Sequence, residues 1–220
     1  MKTGFRAWAA ACALLAAGSV GAAGVPGQGT WETTLLPRDI NGDSVVDAYY
    51  DTALGISWLA DAGAFGPANW DESMAWATSL DVHGVAGWRL PEVVDDIRFG
   101  GSQPPPSSSE MAHLYYVTLG NIGYPDAGYG PSNMGLFRNA VESWYWFRTL
   151  STNRGGAWFF DWGDGSQDGV GYTAKQHAWA VHDGDVAPPP IPEPATWLLT
   201  AAGLAVLAAR RARPRLVSGG

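Results

Sequence analysis

The side chains best suited to chemistry are acidic, and they fall in three short clusters. Asp39, Asn41, Asp43 and Asp47 place side-chain oxygens at positions 1, 3, 5 and 9 of a loop like that of the EF-hand calcium proteins. Ser44 stands where that loop needs glycine, and Tyr50 where it needs a bidentate glutamate. Two readings therefore stand together: a calcium site, or an ion-free Asp/Asn/Gly turn between strands. Asp161, Asp164 and Asp168 form the second cluster, and Asp183 and Asp185 the third. Each reads as a solvated turn unless the fold brings loops together around a hard cation or a substrate. A polysaccharide hydrolase needs a carboxylate pair about 5–10 Å apart, which the 161–168 and 183–185 loops could supply.

Other catalytic machinery is missing from the pattern. His83, His113, His177 and His182 show no HExxH or comparable metal-ligand spacing, and no Gly-x-Ser-x-Gly elbow occurs. Cys12 is the single cysteine and lies in the first apolar segment, so the remainder has neither disulfides nor a thiol nucleophile. No catalytic residue is assigned, and the reading is of a protein that is not an enzyme. Residues 24–192 carry seven basic and twenty acidic residues, a net charge of −13. Such a surface argues against nucleic acid, which needs clustered Lys and Arg.

Ten of the twelve tryptophans fall within the same stretch. Without disulfides, large aromatic side chains can supply much of the burial, so most belong to a core. Two or three are expected to stay exposed enough to stack on a sugar ring. Trp144 and Trp162, beside Asp161 and Asp164, are the glycan-binding candidates.

These residues need elements to position them. Thr30–Leu36, Val45–Tyr50 and Ile56–Leu59 have the β-branched and aromatic content of strands. Trp70, Met74, Ala77 and Leu80 recur at helical spacing, which predicts a helix over 71–81 capped by Asn69 or Asp71. A short helix is expected over Glu92–Phe99. Ser107-x-x-Glu110 reads as a capping box for a helix reaching about Leu119. Residues 100–109 and 120–135 are loops rich in glycine, proline, serine and asparagine. Ser143–Leu150, Ala157–Asp161 and His177–His182 read as strands. The order predicts an α+β domain with helices packed on a twisted antiparallel sheet.

Both ends of the chain read as addresses. Residues 1–23 combine Lys2 and Arg6, an Ala/Leu-rich run and a small-residue stretch ending at Ala23, the form of a secretory leader for signal peptidase. Residues 24–29 form a flexible start, 30–186 the globular domain and 187–191 a proline-rich linker. From 192 to 215 come Pro192-Glu193-Pro194, an uncharged stretch to Ala209, then Arg210, Arg211, Arg213 and Arg215. A span of that length is marginal for a permanent transmembrane helix, and the arginines orient it with the tail inside. This order resembles the PEP-CTERM sorting tail of Gram-negative bacteria. The resemblance implies a transient inner-membrane anchor, cleavage near Pro192–Pro194 by an exosortase-type protease, and delivery to the cell surface or beyond.

The middle carries a second resemblance. Tyr50-Asp51-Thr52, Ile56-Ser57-Trp58-Leu59, Trp88-Arg89-Leu90-Pro91, Ser143-Trp144-Tyr145-Trp146 and Ala157-Trp158-Phe159-Phe160 follow one another in an order similar to the Lcl C-terminal domain family. That likeness implies a C-type-lectin-like fold, related to the formylglycine-generating enzyme, with a mixed antiparallel sheet, flanking helices and long loops. Within the Trp88–Pro91 segment, an arginine between apolar neighbours faces away from them and can fork onto carboxylates, so Arg89 is expected to be structural. Three functional classes stay open. They are a surface protein that binds glycan or exopolysaccharide of an extracellular matrix, a polysaccharide hydrolase, and a ligand-free spacer.

Overall fold

The computed structural model describes residues 24–186. The segments expected to be a secretory leader, a linker and a sorting tail, including Pro192, Glu193, Pro194, Arg210, Arg211 and Arg213, lie outside the described residues. Within them the chain is α+β, mostly sheet with few helices. No described helix is long and apolar enough to cross a membrane.

Two five-stranded sheets form the frame. The first has the order β1-β2-β3-β10-β5, built from Leu35–Arg38, Ala48–Asp51, Ile56–Leu59, Val181–Asp183 and Trp88–Arg89, with every pair antiparallel. The second has the order β4-β9-β6-β7-β8, from Phe65–Ala68, Gln176–Ala178, Trp144–Leu150, Ala157–Asp161 and Gln167–Val170. Its β6–β9 contact is parallel and the rest antiparallel.

The expected single strand over His177–His182 is therefore two strands. β9 ends at Ala178 in one sheet and β10 begins at Val181 in the other, and the buried Trp179 and Ala180 make the crossing. Trp179 sits at an aromatic crossroads, with ring centroids 5.2 Å from Trp58, 4.7 Å from Phe137 and 5.4 Å from Trp162. Its indole N–H donates to the Leu59 carbonyl.

The second sheet is covered on both faces, which accounts for its unbroken apolar runs. Along β7, Trp158 and Phe160 enter the large core, whereas Ala157 and Phe159 enter a smaller one with Trp146, Leu90, Ala77 and Ala178. The helix α2, Trp70–Ser79, contributes Ala77 to this smaller core, with Trp70, Met74 and Trp76 packed against it. Of the two expected caps it is Asn69 that caps α2, through a full capping box with Glu72.

Four expectations fail locally. Residues 31–34 form one helical turn, α1, before β1, in place of a strand from Thr30. β2 begins only at Ala48, because Asp39–Asp47 is spent on a turn. No helix forms over Glu92–Phe99. The Glu92 amide donates to Glu110, and the Val94 amide to the Ser108 carbonyl, which leaves only a 3₁₀ turn at Ile97–Phe99. The cap of α3, Glu110–His113, is Ser109 and not Ser107: Ser109 Oγ accepts the Ala112 amide. The helix then continues through a wider turn, Leu114–Thr118, closed by the Leu119 amide on the Leu114 carbonyl. β4 and β8 are the two strands absent from the sequence pattern.

Candidate functional site

Arg89 is held as its pattern required. It projects from β5 with 11% of its side chain exposed, forks onto Glu110 at 2.7 and 2.9 Å, and reaches Asp183 on β10 at 2.6 Å. The two carboxylates raise its pKa further against the pull of burial, and the guanidinium holds Asp183 below the usual carboxylate range. Trp88 and Leu90 are buried on either side, and the Pro91 carbonyl receives the Arg148 amide. This segment clamps the first sheet to α3 and offers no open surface. Asp185 binds Arg38 at 2.6 Å, so each acid of the 183–185 turn has an arginine partner. Neither is free to act in a hydrolytic pair.

The 39–47 loop is folded around its own amides. Asp39 accepts from the backbone of Gly42, Asp43 and Ser44, and Asp47 accepts the Ile40 amide and meets His83 at 3.2 Å. Asn41 donates to Asp43, which lies below its usual pKa through that bond and the Val45 amide. Among the described residues no three His, Asp or Glu side chains gather in a geometry that could hold a metal. The arrangement is that of an Asx-type turn.

The turn after β7 is different, because three separate segments meet on it. Asp161 receives the Trp144 indole N–H on Oδ2 at 2.6 Å and the Gly163 amide on Oδ1 at 2.8 Å. Trp144, opposite Asp161 in the β6–β7 register, is 38% exposed and stacks on Phe159 with centroids 4.2 Å apart and planes 15° from parallel. On the far side of the turn the Asp164 carbonyl receives the Tyr124 amide, and Tyr116 Oη donates to the Gly165 carbonyl at 2.7 Å. These bonds fasten the 121–130 loop to the acidic turn. Tyr116 Oη lies so close to Gly123 and Gly165 that a Cβ at either glycine would collide with it.

The loop presents Ile122, Tyr124 and Tyr129 to solvent at 42, 48 and 52% exposure, the two tyrosines packed edge to face at 5.3 Å. Beneath the loop, Tyr116, Ile122, Gly123, Asp126, Gln103 and Pro104 line part of a groove of about 340 Å³. Asp161 and Asp164 are three residues apart, so their Cα atoms lie within about 11 Å of each other. Burial pushes the Asp161 carboxyl above its usual pKa despite the hydrogen bonds from Gly163 and Trp144.

Of the four residues expected to contact sugar, Trp144, Asp161 and Asp164 share this surface. Trp162 does not. It is fully buried, packed on Tyr115, Phe160 and Trp179, with its N–H toward Met134 Sδ, so its ring cannot stack on a ligand. Alternation explains the correction, since Trp162 falls on the opposite side of the strand from Asp161. Sequence reasoning missed Tyr124 and Tyr129. Their signal was two aromatic residues in the glycine- and proline-rich Gly123–Gly130 loop, where a ring has little chance of burial. Comparison with family models, with curated proteins and with solved structures finds no match.

Proposed function

We propose that this is an exported, surface-sorted protein whose domain binds an extracellular glycan without catalysis. The observation that supports binding is the grouping of Trp144, Tyr124 and Tyr129, all exposed, on the flanks of the Asp161–Gly165 turn. Isolated apolar residues on a surface need no explanation, but Trp144 bonded to Asp161, and the Tyr124–Tyr129 pair on a loop bonded to Asp164, put three exposed rings beside one acidic turn. Rings offer flat apolar faces to the C–H faces of a sugar, and carboxylates accept from its hydroxyls. The likeness of the Trp88–Pro91 and Tyr145-Trp146 segments to a C-type-lectin-like family supports the same reading. Export rests on the leader-like residues 1–23, and sorting on Pro192-Glu193-Pro194 with the following arginines, as substrates of signal peptidase and an exosortase-type protease.

Two measurements test this. A glycan array probed with the full-length chain should show binding that Trp144→Ala weakens about tenfold, the loss of one stacking contact worth about 1–1.5 kcal/mol. Tyr172→Ala should leave it unchanged. Tyr172 is more exposed than Trp144, but it follows Val170, whose partner Ala157 is at the other end of β7 from Asp161. Equal loss in both variants, or no binding at all, would remove the glycan reading and leave a spacer. For sorting, mass spectrometry of protein recovered outside the producing cell should lack the 197–215 peptide, and its retention would contradict processing.

A further inference from the structure

We infer that the glycan contains N-acetylated sugars and that the groove beneath the tyrosine loop receives the acetamido group, an inference that rests on the binding reading above. The groove, of about 340 Å³, is near the lower end of the sizes that hold small ligands, so it suits one substituted ring and not a length of chain. Ile122 joins it to the exposed surface, since it lines the groove and is 42% exposed on the loop that carries Tyr124 and Tyr129.

The side-chain donors of the groove are spent. Tyr116 Oη donates to the Gly165 carbonyl, Asn121 Nδ2 to the Asn133 carbonyl, and Gln103 Nε2 to the Gly123 carbonyl at 3.0 Å. Two groups on its wall nevertheless lack a partner. Gly123 is buried, and its carbonyl takes the Asp126 amide as well as Gln103, but its own N–H donates to no atom among the described residues. A buried amide without a partner is rare and costs about as much as a lost hydrogen bond. The second group is Gln103 Oε1. The bond from Nε2 to Gly123 fixes which way the side-chain amide faces, and Oε1 is left as an acceptor with no donor among the described residues. The Gln103 backbone is held at a φ of 51°, a left-handed conformation seldom adopted by residues other than glycine and one that collects at ligand sites. Around these two groups the wall is apolar, made of Pro104, Pro106, Ile122 and the Tyr116 ring.

A ligand that completes the groove must therefore bring one donor, one acceptor and a small apolar group together. An acetamido substituent has all three: its N–H suits Gln103 Oε1, its carbonyl suits the Gly123 N–H, and its methyl suits the proline and isoleucine wall. A free ammonium has no acceptor for the Gly123 amide and no apolar end. A plain hydroxyl can donate and accept but leaves the apolar wall uncovered. A uronate would set its carboxylate beside Asp126, which also lines the groove.

The test is calorimetric titration of the full-length chain with three β-1,4-linked hexamers, of N-acetylglucosamine, glucosamine and glucose. We expect the acetylated hexamer to bind about tenfold more tightly than either of the others, as a site built to pair both polar atoms rejects analogues that lack them. Gln103→Ala and Ile122→Ser, both at exposed positions, should each cut that margin to about threefold or less while leaving the glucose hexamer unaffected. Trp144→Ala should lower all three affinities and keep their ratio. In the unaltered protein the NMR signal of the Gly123 amide proton should move downfield with the acetylated hexamer and stay in place with the glucose hexamer. Equal or tighter binding of the glucosamine or glucose hexamer overturns the acetamido assignment and leaves glycan binding intact. A margin retained in either groove variant, or an unmoved Gly123 amide, overturns the groove as the place where the acetamide is read. Failure of all three hexamers beside a positive glycan array overturns the assignment alone, and failure of both removes the reading it rests on.

Discussion

At the scale of residues, the carboxylates divide by environment, and the division marks where the fold is satisfied and where it is not. Hydrogen bonds from Arg89 lower Asp183, those from Thr152 and Trp158 lower Asp95, and those from Arg98 hold Asp96 at about 2. Each therefore favours the folded state above its unfolded pKa of about 3.9, and that contribution disappears as pH falls through its lower folded value. Asp161 has the reverse sign. Its raised pKa means the charged form disfavours the fold at neutral pH, and protonation on acidification relieves the cost. Carboxyl-detected NMR titration should show Asp161 protonating first as pH falls, then Asp183 and Asp95, with Asp96 last. Asp161 titrating with the others would mean that its burial costs nothing and would weaken the case for a site there. Arg89 yields a second expectation. Arg89→Ala leaves Glu110 facing β5 without its cation and should destabilise by about 3 kcal/mol. Arg89→Lys keeps the charge, loses the fork and should cost about 1–2 kcal/mol, both read from the shift in urea midpoint. The largely exposed Asp183 arm adds little to either figure.

At the scale of elements, the outcome depended on whether local pattern or distant pairing decided a segment. α2 was legible because Asn69, Glu72 and the Trp70–Ala77 spacing are all local, and the Ile56–Leu59 strand because its four residues are apolar or small and all buried. β4 was not, since Phe65-Gly66-Pro67-Ala68 carries two poor strand formers and exists through its pairing with β9. β8 hid for a related reason. Gln167–Val170 reads as an acidic turn, yet Gln167 is fully buried and bonds to Ser108, Ser109 and the Phe99 carbonyl. The same network corrects the cap of α3 and makes the correction measurable. Ser109 both caps Ala112 and donates to Gln167, so Ser109→Ala should cost about 1–2 kcal/mol. Ser107→Ala, at the exposed position that the capping-box pattern favours, should change stability by less than about 0.5 kcal/mol in the same unfolding experiment. The proposed binding surface was half legible. Trp144, Asp161 and Asp164 lie on one strand pair and its turn, whereas the tyrosine loop joins them only through the Tyr124 and Tyr116 bonds, some forty residues distant in sequence.

At the scale of the whole molecule, two sheets with no disulfide between them must be held by side-chain burial alone, and tryptophan carries the largest share. Among the described residues six tryptophans are fully buried, and Trp179 touches the rings of residues from both sheets while its own segment crosses between them. Its N–H on the Leu59 carbonyl fastens the crossing to β3. If this junction makes the sheets one cooperative body, fluorescence and far-ultraviolet circular dichroism should report a single coincident unfolding transition. Trp179→Phe keeps an aromatic ring but strands the Leu59 carbonyl and leaves a void, so it should cost about 2–3 kcal/mol and keep the transitions coincident. Trp179→Ala removes the ring contacts to Trp58, Phe137, Tyr145 and Trp162 together and should cost about 4 kcal/mol. With the junction emptied, the second sheet still has its smaller core against α2, whereas the first has none of its own. The alanine variant is therefore the one in which the two probes should separate, with the Trp144 surface outlasting the Arg38–Asp185 side. Coincident transitions in Trp179→Ala would place the coupling elsewhere in the large core.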